Sequence, residues 1–118
     1  MKYADLYLLP LPADKLDAYK KLATRFGKLA REHGALSYRE FVADDLHPEG
    51  TVSFEKAAKP KEGEVVIAAV VDFKSRAHRD QVMKKMFKDP RMDKMMQEPP
   101  IANMKKMSYG GFKAIVSL

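Results

Sequence analysis

The densest run of chemically capable side chains is Ser75-Arg76-Ala77-His78-Arg79-Asp80. At helical spacing Arg76 and Arg79 stand one turn apart, as do Ala77 and Asp80, and His78 shares a face with Val82. Two readings fit the cluster. In the first, His78 is a general base or a ligand-binding donor, because imidazole titrates near neutral pH. In the second, Ser75 and Asp80 favour a helix start, and the arginines are solvated or paired across a sheet edge. Asp5 is the other conspicuous group. It interrupts the apolar stretch Tyr3 to Leu11, on the face that carries Tyr3 and Tyr7. Burying a carboxylate is costly unless it is paired. Asp5 is therefore expected either to pair with Arg39 on a neighbouring part of the sheet or to line a polar cavity between two sheets. Asp72 is expected at a strand end, as a turn residue.

Other ionisable groups carry less chemistry. His33 falls in the last turn of a helix, where it suits the helix dipole. His47 with Asp44 and Asp45 matches no metal-ligand spacing, so no metal is expected. The chain has no cysteine, which removes disulfides, thiolate metal sites and a thiol nucleophile. Methionines concentrate between Met83 and Met107, more in keeping with core or interface packing than with a copper site. There is no glycine-rich phosphate loop and no nucleophile elbow, so kinase, dehydrogenase and hydrolase chemistry fit poorly and no cofactor is expected.

These residues must be positioned by a small set of elements. Tyr3 to Leu11 reads as a strand. Pro12 and Asp14 open a helix whose apolar stripe runs Leu16, Tyr19, Ala23, Phe26, Ala30, with Gly34 as its left-handed stop. Ala35 to Ala43 is a second strand. It carries Leu36, Tyr38, Glu40 and Val42 on one face, and Ser37, Arg39 and Phe41 on the other. Asp44 to Gly63 is a long connection with a possible short strand at Thr51 to Phe54. Glu64 to Phe73 is a third strand, apolar from Val65 to Val71. Ser75 caps a second helix that ends at Lys88, and Asp89-Pro90 starts a short third one. Met107 to Leu118 is the last strand, with a β-bulge expected at Gly110-Gly111, where its apolar phase shifts.

The resulting order is β-α-β-β-α-β, the ferredoxin-like α+β pattern, with a four-stranded antiparallel sheet. At 118 residues, residues 1–118 are expected to form one domain. The first and third strands, apolar on both faces, belong at the sheet's centre. Two helices cover one face only. The other would leave valine and leucine side chains in water, so a second copy is expected to pack on it, sheet against sheet. The net charge is +6, but 22 basic and 16 acidic residues are interleaved without a long block of one sign. The basic region around the second helix has no stacking aromatics among it, so nucleic acid is not the expected partner. Neither a signal peptide nor a membrane span is legible, which makes cytoplasmic residence the default.

Four segments, taken together, resemble a bacterial family. REHGALSYRE (Arg31 to Glu40), SRAHRD (Ser75 to Asp80), DPRM (Asp89 to Met92) and YGGFK (Tyr109 to Lys113) are similar, in order and position, to the YbaA-like proteins, a family of unknown function. The likeness covers essentially the whole chain. It implies membership of the dimeric α/β-barrel superfamily, in which two ferredoxin-like sheets enclose a central cavity. That superfamily includes cofactor-free quinone-forming monooxygenases, haem-degrading enzymes, dehydratases and ligand-sensing domains, so the likeness implies fold and dimer but carries no activity.

The expectation is therefore a homodimeric cavity protein that binds a small organic molecule, aromatic or quinone-like. Asp5, Tyr7, Arg39, Arg76, His78 and Tyr109 are the candidate ligand-binding residues, with Asp5 and His78 the candidates for catalysis. If it is an enzyme, a cofactor-free monooxygenase-like or isomerase-like reaction is expected, with Asp5, Tyr7, Arg39 and His78 handling protons or substrate. The rivals are a non-catalytic scaffold or stress-related interaction protein and, last, a nucleic-acid binder.

Overall fold

A strand that is apolar on both faces needs a neighbour on each side, and β1 (Tyr3–Pro12) and β3 (Glu64–Phe73) find each other at the middle of the sheet. The structure, a computed structural model, describes residues 2–118. The sheet order is β2-β3-β1-β4, all antiparallel, with β2 (Ser37–Val42) and β4 (Ser108–Lys113) at the edges. Three helices, α1 (Leu16–Glu32), α3 (Arg76–Lys88) and α4 (Pro90–Met96), accompany the sheet. This is the ferredoxin-like α+β arrangement. Among the described residues no helix is long and apolar enough to cross a membrane.

Local chemistry fixes the helix ends. The Ser75 hydroxyl accepts the His78 N–H at 3.1 Å, and the Asp89 carboxylate accepts the Arg91 N–H at 2.9 Å. Pro90 follows Asp89 at the first helical position. Gly34 ends α1 with φ of 117°, a conformation that disfavours any Cβ.

The register assigns the faces. Tyr3, Asp5, Tyr7, Leu9 and Leu11 of β1 lie beside Val71, Ala69 and Ile67 of β3, and beside Tyr109 and Gly111 of β4. This face meets the helices, packing Val71 and Phe73 with Leu29, Val82 and Met86. The opposite face carries Leu6, Leu8, Ala68 and Val70, flanked by Phe41 and Phe112. Leu6, Phe41 and Phe112 are 37, 49 and 56% exposed. At one end, α2 (Glu55–Ala58) lies against β1, where Pro10, Val66 and Ala58 are buried.

Several expectations need correction. The segment around Thr51 to Phe54 is not a strand; it leads into α2, with Lys59 in the left-handed conformation at the helix end. β4 stops at Lys113 rather than Leu118: its last paired residue faces Tyr3, and the Lys2 carbonyl takes the Ala114 N–H. Ile115, Val116 and Leu118 are left exposed. No bulge occurs at Gly110-Gly111, since the pairing runs unbroken from Leu8↔Ser108 to Tyr3↔Lys113. The glycine has a different purpose: the Tyr3 ring lies over Gly111, where a Cβ would collide with it. Asp72 is not a turn residue either. It lies within β3, buried, and accepts from the Ser37 hydroxyl and, at 3.5 Å, from Arg39.

Gly27 repeats that close approach in α1, where an added Cβ would fall 2.5 Å from the Tyr38 ring. Alanine would gain about 1 kcal/mol of helix propensity. Overpacking costs roughly 1–3 kcal/mol. Gly27→Ala is thus expected to destabilise by about 1 kcal/mol net in urea unfolding. A net gain would show that Tyr38 yields without cost.

Candidate functional site

The strongest electrostatic feature begins with Asp5. Strand alternation directs it at the helices from the middle of β1, and its side chain is 0% exposed. Its partner is Arg79, one turn into α3, whose Nη1 donates to Asp5 Oδ1 at 2.6 Å. The expected pairing with Arg39 does not form. Arg39 lies opposite Val70 on the other face of the sheet and pairs with Asp72. Nor does Asp5 lie between two sheets, because its face is the one the helices cover. Arg79 also donates to Tyr109 Oη at 2.5 Å and to Asp80 Oδ1 at 2.8 Å. Its guanidinium lies 5.2 Å from the centre of the Tyr3 ring. Among the described residues Asp5 Oδ2 has no hydrogen-bond partner. Burial raises the carboxyl above its ordinary range, opposed by the charge of Arg79 and the hydroxyl of Tyr109.

A second carboxylate lies across the same face. Glu40, next to Ala69 in the sheet, accepts from the Tyr19 hydroxyl of α1 at 2.6 Å and from the hydroxyl of Tyr38. Among the described residues no ion pair reaches Glu40. Burial first, and Glu40 second, push both phenols well above their usual range. Tyr7 lies between the two groups, its ring 4.8 Å from that of Tyr109. Its hydroxyl makes no hydrogen bond among the described residues, and burial pushes it up strongly.

These tyrosines border a cavity of about 890 Å³ between the sheet and the helices. Tyr7, Leu9 and Ala69 line its floor from the sheet, and Phe26, Met83, Phe87 and Met95 are among its helical walls. Six of the chain's eight methionines contribute, an adaptable apolar lining. Arg79, Tyr109, Tyr19 and Tyr38 supply polar points. A further groove of about 1170 Å³ lies beyond Tyr19 and Tyr38, between α1 and β2, with Glu40 among its walls.

The other candidates disperse. Tyr7 and Tyr109 line the cavity, whereas Arg39 points away from it. Arg76 is exposed in the first turn of α3. His78 is not among the cavity-lining residues; its Nδ1 accepts the Lys74 N–H at 2.9 Å and its ring stands edge-on to Phe73. His33, at the end of α1, reaches Asp89 at 2.9 Å, and His47 contacts Glu55. The Tyr19–Glu40–Tyr38 clamp went unread in the sequence. Its signal was a glutamate sharing a strand face with Leu36, Tyr38 and Val42.

Asp89 caps α4 while accepting from Arg91 and contacting His33, so it ties the end of α1 to the start of α4. The Arg91 hydrogen bonds, with help from His33, hold its carboxyl far below the ordinary range. A depressed folded value means stability present above the unfolded value of about 3.9 and lost as pH falls through the folded one. Thermal melts below about pH 4 should therefore show a shallower acid decline for Asp89→Asn than for wild type. Equal slopes would remove Asp89 as a source of acid lability.

Fold and site define a ferredoxin-like α+β protein with a tyrosine-bordered cavity beneath its helices. The chain belongs to the family described as "Protein of unknown function (DUF1428)", whose sequence profile matches residues 2–103. It is 39% identical over 117 residues to "Uncharacterized protein YbaA" of Escherichia coli (strain K12), covering 98% of each chain. The proteins of that name from Escherichia coli O157:H7 and Shigella flexneri show the same identity and coverage.

Proposed function

We propose that this chain binds a small, largely apolar organic molecule in the cavity between its sheet and helices, and that it does so as a homodimer. The cavity carries the reading. At about 890 Å³ it lies within the roughly 300–1,000 Å³ of small-molecule sites. Its apolar walls and few converging polar groups have the character such sites need. Support for the dimer comes from the opposite face. Leu6, Leu8, Val70, Phe41 and Phe112 form a contiguous apolar surface there that no helix of the same chain covers. A second copy related by a two-fold axis would bury it while leaving each cavity under its own helices.

The test is a thermal-shift screen of the full chain against aromatic and aliphatic metabolites. A ligand at 100 times its dissociation constant adds about 2.7 kcal/mol of stability. The midpoint should then rise by several degrees for at least one compound class. A flat response across the library, from a chain that melts cooperatively, would remove the reading.

A further inference from the structure

We infer that the cavity selects a neutral aromatic alcohol, a ligand that offers hydroxyl protons, over an aromatic carboxylate of the same size. This rests on the cavity-binding reading and adds the chemistry of the ligand.

The ground is a count of hydrogen-bond donors. A phenol has one proton to give. Tyr19 and Tyr38, both lining the cavity, direct theirs to Glu40, which leaves their oxygens as acceptors. Arg79 would be the natural receptor for a carboxylate. Its Nη1 is engaged with Asp5 and Tyr109, its Nε with Asp80, and its Nη2 lies 3.5 Å from the Tyr3 hydroxyl. The lining has one more cation, Lys84, which is exposed to solvent on a wall that Asp80 and Glu98 also line. An incoming anion would thus meet the acceptor oxygens of Tyr19 and Tyr38 with Glu40 behind them; the Tyr7 hydroxyl, one Arg79 Nη2 N–H and the exposed Lys84 are the donors left to it, set against the carboxylates of Asp5, Asp80 and Glu98. A hydroxyl meets the opposite situation. It can donate to the Tyr19 or Tyr38 oxygen, or exchange donor and acceptor roles with the Tyr7 hydroxyl on the floor, which makes no hydrogen bond among the described residues. The aromatic preference follows from the walls, since methionine sulfur and the adjacent Tyr7 and Tyr109 rings suit a flat π-face.

Three naphthalene probes separate the possibilities: naphthalenediol, its dimethyl ether and naphthoate, titrated into the full chain. With no tryptophan in the protein, probe fluorescence is read without that background. The diol should bind at least about tenfold tighter than the ether, one hydrogen bond's worth, and naphthoate should bind weakest. Glu40→Gln keeps one acceptor oxygen and turns the other into an NH2 donor, so it frees the proton of one of the two tyrosines and should narrow the gap between diol and naphthoate. Tyr19→Phe, which deletes an acceptor without touching a charge, should weaken the diol and leave the ether unchanged. Naphthoate binding as tightly as the diol would overturn the donor selection while the cavity reading stands. Binding of none of the three would overturn both.

Discussion

Arg79→Ala should lower folding stability by about 3–5 kcal/mol at neutral pH, the cost of leaving a buried carboxylate without its counter-charge. Arg79 is 13% and Asp5 0% exposed, so the pair is largely shielded from solvent in the folded chain. The sign of the pH dependence follows from the Asp5 carboxyl, already raised by burial. A folded value above the unfolded one, about 3.9, gives stability that is full below the unfolded value and lost as pH rises through the folded one. Removing Arg79 raises the folded value further. The deficit of Arg79→Ala relative to wild type should therefore shrink on acidification, as Asp5 takes up a proton. Combining it with Asp5→Asn should recover part of the loss at pH 7. Denaturant unfolding across pH measures both effects. A variant within about 1 kcal/mol of wild type at pH 7 would show that the pair is not load-sharing, as exposed pairs commonly are not.

The second large effect is expected on association. Leu6 lies at the centre of the open face, opposite Val70 on one side and Gly110 on the other. In a two-fold dimer packed through that face, Leu6→Asp would bring two carboxylates into one apolar contact, costing several kcal/mol. The dissociation constant should rise at least about 100-fold, since each tenfold is 1.4 kcal/mol. Leu6 is 37% exposed in the single chain. The stability of the chain itself should accordingly change far less than its association. Sedimentation equilibrium of wild type and variant decides it. A monomeric wild type, or a variant that associates as before, would end the proposal of a dimer through this face.

Much of the fold was legible because its signals are local or strictly periodic. Two strands apolar on both faces identify the sheet's centre, the threes-and-fours stripe from Leu16 to Ala30 marks α1, and Ser75 and Asp89-Pro90 cap the helices that follow. Asp5 was visible as a charge among apolar neighbours, but its partner was not. Which residues of two strands share a face depends on register, and register is set by pairing across the sheet rather than by either strand alone. Odd positions of β1 face the helices while odd positions of β2 face away, so Arg39 and Asp5 fall on opposite sides. Arg79 comes from a helix with few apolar residues to announce its rotation. The cavity itself could not be read, because its walls come from helices, strands and the segment around Pro99 and Pro100, brought together only in the folded chain. The prolonged phase shift in β4 was read as a bulge, yet it reflects the need for apolar side chains on both surfaces: Tyr109 toward the helices and Phe112 toward the open side.

The placement of β1 bears on how the chain assembles. Both strands that flank it lie far downstream, with paired residues running from Glu64 beside Pro12 to Lys113 beside Tyr3. An emerging nascent chain would hold this strand ready long before either neighbour leaves the ribosome. Contacts of such long sequence separation slow folding and prolong the exposure of unpaired strand edges. Chaperone dependence during synthesis, and a refolding rate slower than that of a helical bundle of equal length, are what this wiring implies.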